Sequence, residues 1–437
     1  MLTQLASLLQ TGSCTYELNP RKEFMATTEK LLKEEVSACE AIVQALEDAG
    51  IDMVFGIIGG NMGSLYNALY DHQSSIRTVL VRHEQLASVM AEVYGRLTGK
   101  PGIAAGQGAF IIANGLLGTL EAQMGSSPML LLTDLSDQAP FSHHAPYQGG
   151  TGEYGTFDTK KTLEGVTKYT TVLQSPAHAV QGTQLAIKHA LSGDRGPVSV
   201  IYHSSAFKGK LGPDSRPTLY STKHYLPQKT QGDDSSINSA ARLICAAKKP
   251  VIIAGNGVRI SQAYDELLDM AVMLGAPVGT TASGKGVFPE THEYALGVFG
   301  NFGQETANKF IGNADLILVV GSRLGPTDTA NENPKLINPE KQTLIQIDIE
   351  PKSVSWTFPC DETIVGDASL VLSQLKEAIT KIGAPFQSTV SARKLFLDEI
   401  RKEEKFFGDA EYSSDEVPIL PQRLLAEIQR TMSDDAF

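Results

Sequence analysis

The sequence lacks the features that mark disulfide-stabilised, nucleic-acid-binding and membrane proteins. Only four of its 437 residues are cysteine, with no Cys-x-x-Cys pair, which argues against a disulfide framework or a zinc knuckle. It has no Lys- or Arg-rich run and a formal net charge of -12, which argues against nucleic acid or an anionic membrane as a partner. No apolar run approaches the roughly 18 residues of a membrane span. These absences favour a cytoplasmic enzyme with reduced thiols.

Short apolar segments alternate with segments of helical periodicity along most of the chain. Strands are predicted in the first half at residues 53–55, 78–81, 103–105, 129–133 and 197–201. The pattern restarts in the second half, with strands predicted at 251–254, 316–320 and 344–349. Alternation of this kind predicts an α/β protein with two doubly wound parallel-sheet domains, the second of them similar to a Rossmann domain.

Changes in composition set the expected domain boundaries. Between the two halves, residues 206–235 are polar and rich in Ser, Pro, Gly, Lys and Asp, which indicates a linker. The complete division is an N-terminal extension at 1–33, a first domain at 34–205, the linker at 206–235, a central domain at 236–382, and a charged linker with a terminal helix at 383–437.

Two glycine clusters follow predicted strands and open helices, where backbone amides can receive an anion. They lie at residues 56–63 and 255–257. Neither meets the G-x-G-x-x-G spacing, and no acidic residue closes the strand that follows the first cluster. Taken alone, each is more typical of a tight turn than of a dinucleotide site, which disfavours an ordinary NAD-dependent oxidoreductase.

Glu84 lies where the second predicted strand turns into a helix. This position is at the carboxyl edge of the sheet, the side that usually faces ligands in such folds. The alternative is a solvated first-turn glutamate that interacts favourably with the helix dipole. The spacing of the residues leaves both interpretations open.

An ordered series of motifs resembles the thiamine-diphosphate enzymes, the family that contains acetolactate synthase. The motifs are V-F-G-I-I-G-G at 54–60, V-R-H-E at 81–84, A-E-V-Y-G-R-L-T-G-K-P-G at 91–102, R-G-P-V at 195–198, K-P-V-I-I-A-G-N-G-V at 249–258, A-D-L-I-L-V-V-G-S-R at 314–323 and Q-I-D-I-E-P at 346–351. The resemblance covers roughly residues 36–380. It departs from the family at Ile58, where proline is usual, and in the loop at 106–114, which is longer and more apolar.

The resemblance implies that the Glu84 carboxyl binds the aminopyrimidine ring of the cofactor and activates it as the catalytic residue. The cofactor-binding residues that it implies are Gly59, Gly60, Glu84, Gly108 and Asn114. Those that it implies on the substrate side are Gln107, His143, His144 and Gln148. A surface loop is the alternative interpretation of the paired histidines.

The family's third domain binds Mg²⁺ and the diphosphate through Gly-Asp-Gly, followed after roughly 25 to 30 residues by Asn, a set of hard oxygen ligands suited to Mg²⁺. This sequence contains no Gly-Asp-Gly, and its last asparagine is Asn338. The resemblance therefore implies no metal ligands in this chain. A partner chain that carries the diphosphate-binding domain is expected to supply Mg²⁺, within a homodimer or a hetero-oligomer.

Two functions follow as hypotheses. The first is a subunit of a thiamine-diphosphate-dependent lyase or carboligase that acts on a 2-oxo acid or an acyl thioester. The second is a non-catalytic, nucleotide-binding or regulatory paralogue that scaffolds a complete enzyme. Because central domains of this family sometimes carry FAD or ADP, bound FAD, bound ADP and an empty site all stay open.

Overall fold

The computed structural model describes residues 28–135, 150–152, 157–383, 387–403 and 410–433. Contacts divide the chain into two compact units. Unit 1 takes the described residues up to Gln123, together with Pro128–Ala190 and Pro197–Leu226, and unit 2 takes Met124–Ser127, Leu191–Gly196 and the described residues from Pro227 onward.

Unit 1 alternates strands and helices. Its strands are β1 (Val36–Ser37), β2 (Met53–Gly56), β3 (Arg77–Leu80), β4 (Gly102–Ala105), β5 (Met129–Leu135), β6 (Tyr169–Leu173), β7 (Pro197–His203) and β8 (Lys210–Leu211). Its helices are α1 (Ala38–Asp48), α2 (Met62–Asp71), α3 (Glu84–Thr98), α4 (Gly108–Asn114), α5 (Leu116–Gly125), α6 (Thr159–Glu164) and α7 (Pro176–Leu191). In the described residues, six strands form a parallel sheet in the order β3-β2-β4-β5-β7-β6.

Unit 2 repeats this architecture. Its strands are β9 (Pro250–Ala254), β10 (Val278–Thr280), β11 (Ala295–Val298), β12 (Leu316–Val320), β13 (Thr343–Asp348) and β14 (Glu362–Val365). Its helices are α8 (Asp234–Ala246), α9 (Asn256–Ser261), α10 (Tyr264–Leu274), α11 (Glu305–Gly312), α12 (Ala368–Ile382), α13 (Gln387–Glu403) and α14 (Pro421–Thr431). The parallel sheet has the order β11-β10-β9-β12-β13-β14.

The predicted α/β fold with two doubly wound parallel sheets is confirmed. Strands β5, β7, β9 and β12 are buried along their whole length, as expected for a parallel sheet that is covered on both faces. In unit 1 the chain reverses direction across the sheet between β2 and β4, and in unit 2 it does so between β9 and β12. Ligands of doubly wound sheets bind outside the carboxyl ends of such strand pairs.

The segments predicted as an extension and a linker contain ordered structure. The Leu31 amide donates to the Leu219 carbonyl at 2.9 Å, Lys30 forms a bridge with Tyr220, and β1 pairs with β8. Leu32 is only 1% exposed. Composition alone does not reveal this packing, because the leucines that form it are a Leu31-Leu32 pair and single residues that lie between polar ones.

The charged segment after residue 383 contains a helix, α13, that packs on the rest of unit 2. Leu397 and Ile400 of α13 are buried, and Arg393 is only 5% exposed. The Arg393 guanidinium donates to the carbonyls of Ala247 and Leu274, at the ends of α8 and α10. Carbonyls at helix ends have no hydrogen-bond partner within their own helices, and the guanidinium supplies one to each. The same hydrogen bonds compensate the arginine for its loss of water.

No helix in the described part of the chain is long and apolar enough to span a membrane.

A histidine between two carboxylates joins α1 to the end of α2. The two ring nitrogens of His72 lie 2.7 Å from Glu40 Oε1 and 2.8 Å from Glu47 Oε1. Both nitrogens can donate only in the protonated ring. Partial burial alone lowers the pKa of His72, but the hydrogen bonds and charges of Glu47 and Glu40 outweigh it and raise the pKa above its ordinary value.

We expect His72→Gln to lower the free energy of unfolding by about 1 kcal/mol in mild acid, where the ring is protonated. A raised pKa means that this stabilisation is complete below the unfolded-state pKa of about 6.5 and is lost as the pH rises through the folded-state pKa. Urea denaturation in mild acid and in mild alkali measures the difference from the parent. His189→Gln is the control, because it removes a histidine whose pKa is shifted in the opposite direction. Burial and the charges of Lys168 and Lys188 lower the pKa of His189. If the difference in free energy of unfolding between His72→Gln and the parent grew as the pH rose, it would contradict the ion pairs of His72 with Glu40 and Glu47.

Candidate active site

The carboxyl ends of β2 and β4 approach each other closely in unit 1. An ideal Cβ on Gly56 would lie 1.9 Å from the Ala105 carbonyl oxygen and 2.1 Å from Tyr66 Oη. Tyr66 Oη donates to that same carbonyl at 2.8 Å, and burial raises the pKa of the phenol. Only glycine therefore fits at the end of β2, and the two loops that follow these strands start from a fixed separation.

The Gln107 side chain lies against the first of these loops. An ideal Cβ would lie 2.6 Å from Gln107 Oε1 if built on Gly59, and 3.0 Å from Gln107 Cγ if built on Gly60. Gly60 also has a φ of +54°, in the left-handed region that favours glycine. The two positions differ, because at Gly59 the obstacle is the end of a flexible side chain that can shift, whereas at Gly60 the backbone conformation itself favours glycine.

A buried carboxylate joins the same two loops. Asp134, near the end of β5, is 1% exposed. Its Oδ2 accepts the Asn61 amide at 2.9 Å, and its Oδ1 accepts the Gly108 amide at 3.0 Å. No sequence motif indicated this residue. A carboxylate after an apolar run such as L-L-L-T-D is nevertheless a signal of a structural or functional role.

Glu84 is the first residue of α3. His83 has an extended backbone, and its Nδ1 accepts the Gln85 amide at 3.3 Å, so the helix begins at Glu84. Glu84 is half-buried. Asn114, the last residue of α4, donates from Nδ2 to Glu84 Oε2 at 3.0 Å. The amide fixes one oxygen of a carboxyl group that can hydrogen bond a heterocyclic ligand.

The predicted cofactor residues and Gln107 all lie on loops or helix ends at the carboxyl edge of unit 1. The structure joins Gln107 to Gly59 and Gly60, and Asn114 to Glu84, while Asp134 connects Gly108 to the first loop. His143, His144 and Gln148 lie outside the described residues. The described ranges contain no group of three or more His, Cys, Asp or Glu that could hold a metal ion.

Unit 2 has a cavity of about 330 Å³ at the carboxyl ends of β9 and β12. The turns after these strands touch, because an ideal Cβ on Gly257 would lie 2.6 Å from the Gly321 Cα. Charged groups of both signs line the cavity. Burial raises the pKa of Asp348 to about 6, and burial lowers the pKa of Arg195. A half-buried carboxyl and a guanidinium beside close-packed glycine turns suit a ligand with both hydroxyl and anionic groups.

Two family profiles match the chain. One, described as "Thiamine pyrophosphate enzyme, N-terminal TPP binding domain", matches residues 36–151. The other, described as "Thiamine pyrophosphate enzyme, central domain", matches residues 237–375. The first match contains all the residues of the candidate active site named above, and the second contains β9 and β12.

Curated relatives extend the match over nearly the whole chain. A probable acetolactate synthase large subunit of Methanocaldococcus jannaschii is 31% identical over 401 residues, which is 91% of this chain and 64% of that protein. The acetolactate synthase isozyme 3 large subunit of Escherichia coli is 31% identical over 418 residues, 92% of this chain and 68% of that protein. The chain thus spans a little under two thirds of the archaeal relative.

We expect Gly56→Ala to lower the free energy of unfolding of unit 1 by about 3 kcal/mol, the upper end of the usual cost of overpacking. The new methyl group would meet backbone, which cannot move aside as a flexible side chain can. Gly63→Ala is the matched control: Gly63 lies in α2 with nothing within 4 Å of its ideal Cβ, so alanine should be neutral or slightly stabilising. Urea denaturation of both variants measures the difference. Equal midpoints would contradict the close approach of β2 and β4.

Proposed function

Because the chain belongs to the thiamine pyrophosphate enzymes, as its motifs predicted, we propose that Glu84 activates thiamine diphosphate. The chemistry proposed is acetolactate synthase-like and acts on a 2-oxo acid. The observation that carries the proposal is the hydrogen bond from Asn114 Nδ2 to Glu84 Oε2 at the carboxyl edge of unit 1. An acyl thioester is the alternative substrate class.

The residues present fit the pyrimidine end of the cofactor. Glu84 offers a half-buried carboxyl that one neighbouring amide already orients. Ile58, in the loop after β2, and Phe110, in the first turn of α4, are exposed apolar residues suited to contact a flat ring. Gln107, which lies against Gly59 and Gly60, is assigned to the substrate side.

The bound cofactor would supply an electron sink for breaking and forming carbon–carbon bonds next to a carbonyl. The chain's own contribution is to hold a proton. The Glu84 carboxyl would hydrogen bond a ring nitrogen of the pyrimidine, and Asn114 would keep that carboxyl in place during proton transfer. Proton handling by a positioned side chain contributes roughly 100- to 10,000-fold to rate.

The diphosphate and Mg²⁺ are assigned to residues other than those described. The described ranges contain no cluster of His, Cys, Asp and Glu that could hold a metal ion. We assign this half of the site to a chain that carries a diphosphate-binding domain, within a homodimer or a hetero-oligomer.

The cavity of unit 2 favours a second candidate function, the binding of a nucleotide such as ADP or FAD for a structural or regulatory purpose. It lies at the strand pair where doubly wound sheets bind nucleotides. Asp348, at the end of β13, has the position of an acidic residue that accepts ribose hydroxyls. Arg195 offers a donor to phosphate.

We expect Glu84→Gln to reduce turnover by about 1,000-fold, because glutamine cannot take up or release the proton. The assay measures release of carbon dioxide from pyruvate, with the chain mixed with one that carries the diphosphate-binding domain. Glu164→Gln, which removes an exposed glutamate at the end of α6, should leave the rate unchanged. Full activity of Glu84→Gln would remove this residue from the mechanism.

For the second function, we expect ADP to bind purified protein and change the fluorescence of Trp356, the single tryptophan of the chain. Trp356 is exposed, and its amide bonds the carbonyl of Ser353, which lines the cavity. Asp348→Asn should weaken the binding of ADP about tenfold, which corresponds to the loss of one hydrogen bond to a charged group. The affinity of the parent should fall as the pH drops through about 6, where Asp348 takes up a proton.

Asp361→Asn provides the control, since Asp361 bonds the Leu344 amide at the opposite end of β13. A visible absorption spectrum of the purified protein tests separately for bound flavin. Equal ADP affinity in the parent and in Asp348→Asn would contradict the assignment of the ribose contact.

A further inference from the structure

Asp134 is a buried acid in a strand that is otherwise apolar apart from Thr133. All seven residues of β5 are buried. Desolvation of a carboxylate is unfavourable unless its oxygens are hydrogen-bonded. The Asn61 and Gly108 amides meet this need, at 2.9 Å and 3.0 Å, from loops that follow two different strands. The carboxylate therefore connects parts of the chain that are far apart in sequence.

Both connected loops lead directly to the candidate active site. Asn61 follows Gly60 and precedes α2, and an ideal Cβ on Gly60 would lie 2.9 Å from Asp134 Oδ2. Gly108 is the first residue of α4, a helix of seven residues. Asn114, the last residue of the same helix, bonds Glu84. The position of the Glu84 partner thus depends on where α4 begins.

We propose that Asp134 is a positioning residue: it fixes the glycine loop and the start of α4 so that Asn114 holds the Glu84 carboxyl in its working orientation. The assignment rests on the proposed function of Glu84. It adds a residue that acts through Asn114 and need not touch the cofactor or the substrate.

The charge of Asp134 distinguishes this role from simple space filling. A carboxylate only accepts hydrogen bonds, so it can satisfy two converging amides at once. Asparagine has nearly the same shape, but it presents an NH₂ group to one of the two amides. Asp134→Asn therefore breaks one of the two connections with little change in volume.

The test compares Asp134→Asn with Asp48→Asn. Asp48 also accepts a backbone amide, that of Thr222, elsewhere in unit 1, so its variant controls for the loss of a carboxylate clamp. The first readout is amide hydrogen exchange at Asn61 and Gly108 in the chain alone, which needs no cofactor. Exchange at one or both amides should become about tenfold faster in Asp134→Asn, as expected for loss of a charged hydrogen bond.

The second readout is the division between kcat and KM in the assembled enzyme, with pyruvate as substrate. We expect Asp134→Asn to lower kcat about 100-fold, the cost of a small misplacement of a catalytic group. KM should change little, and Asp48→Asn should retain the parent kcat. If Asp134→Asn does not fold, Asp134→Ser, which keeps one acceptor oxygen in a smaller side chain, replaces it.

Faster exchange together with a lower kcat supports the proposal. Unchanged exchange at both amides overturns it, because the connection between the loops would then be absent. Faster exchange with the parent kcat also overturns it, since the clamp would have no effect on Glu84. A parent that shows no turnover dependent on thiamine diphosphate overturns the proposed function, and the exchange measurement still decides whether Asp134 joins the two loops.

Discussion

The close approach of β2 and β4 is the constraint on which the candidate active site depends. Gly56 leaves no room for a side chain between the two strand ends, and Tyr66 bonds the Ala105 carbonyl at the same point. Each later contact starts from this fixed separation. Gln107 can pack against Gly59 only because the two loops leave the sheet side by side.

Polar groups at this edge are held in place by the backbone and by one another. Asp134 is buried, yet two amides compensate its charge, and Glu84 is half-buried with one oxygen bonded to Asn114. Such a preformed arrangement reduces the reorganisation needed when a ligand binds.

The sequence predicts the fold well because buried parallel strands are continuous apolar runs. It does not reveal β6, β11 and β14, which lie at sheet edges and are short or partly polar, or β10, an interior strand of only three residues. It predicts Glu84 only through resemblance to a family, since spacing alone suits a solvated helix start equally. Asp134 and Arg393 escape pattern analysis for one reason: each is a charged residue that is buried because backbone groups satisfy it. Such pairings depend on the tertiary structure.

The contact of Gln107 with Gly59 and Gly60 has an evolutionary consequence. A side chain added at position 59 displaces the flexible end of the Gln107 side chain, whereas a shorter residue at 107 would leave room for it. At position 60 the left-handed backbone is a further obstacle that no change at 107 removes. Across descendants of this gene, positions 59 and 107 should therefore covary, while 60 stays glycine whatever occupies the other two.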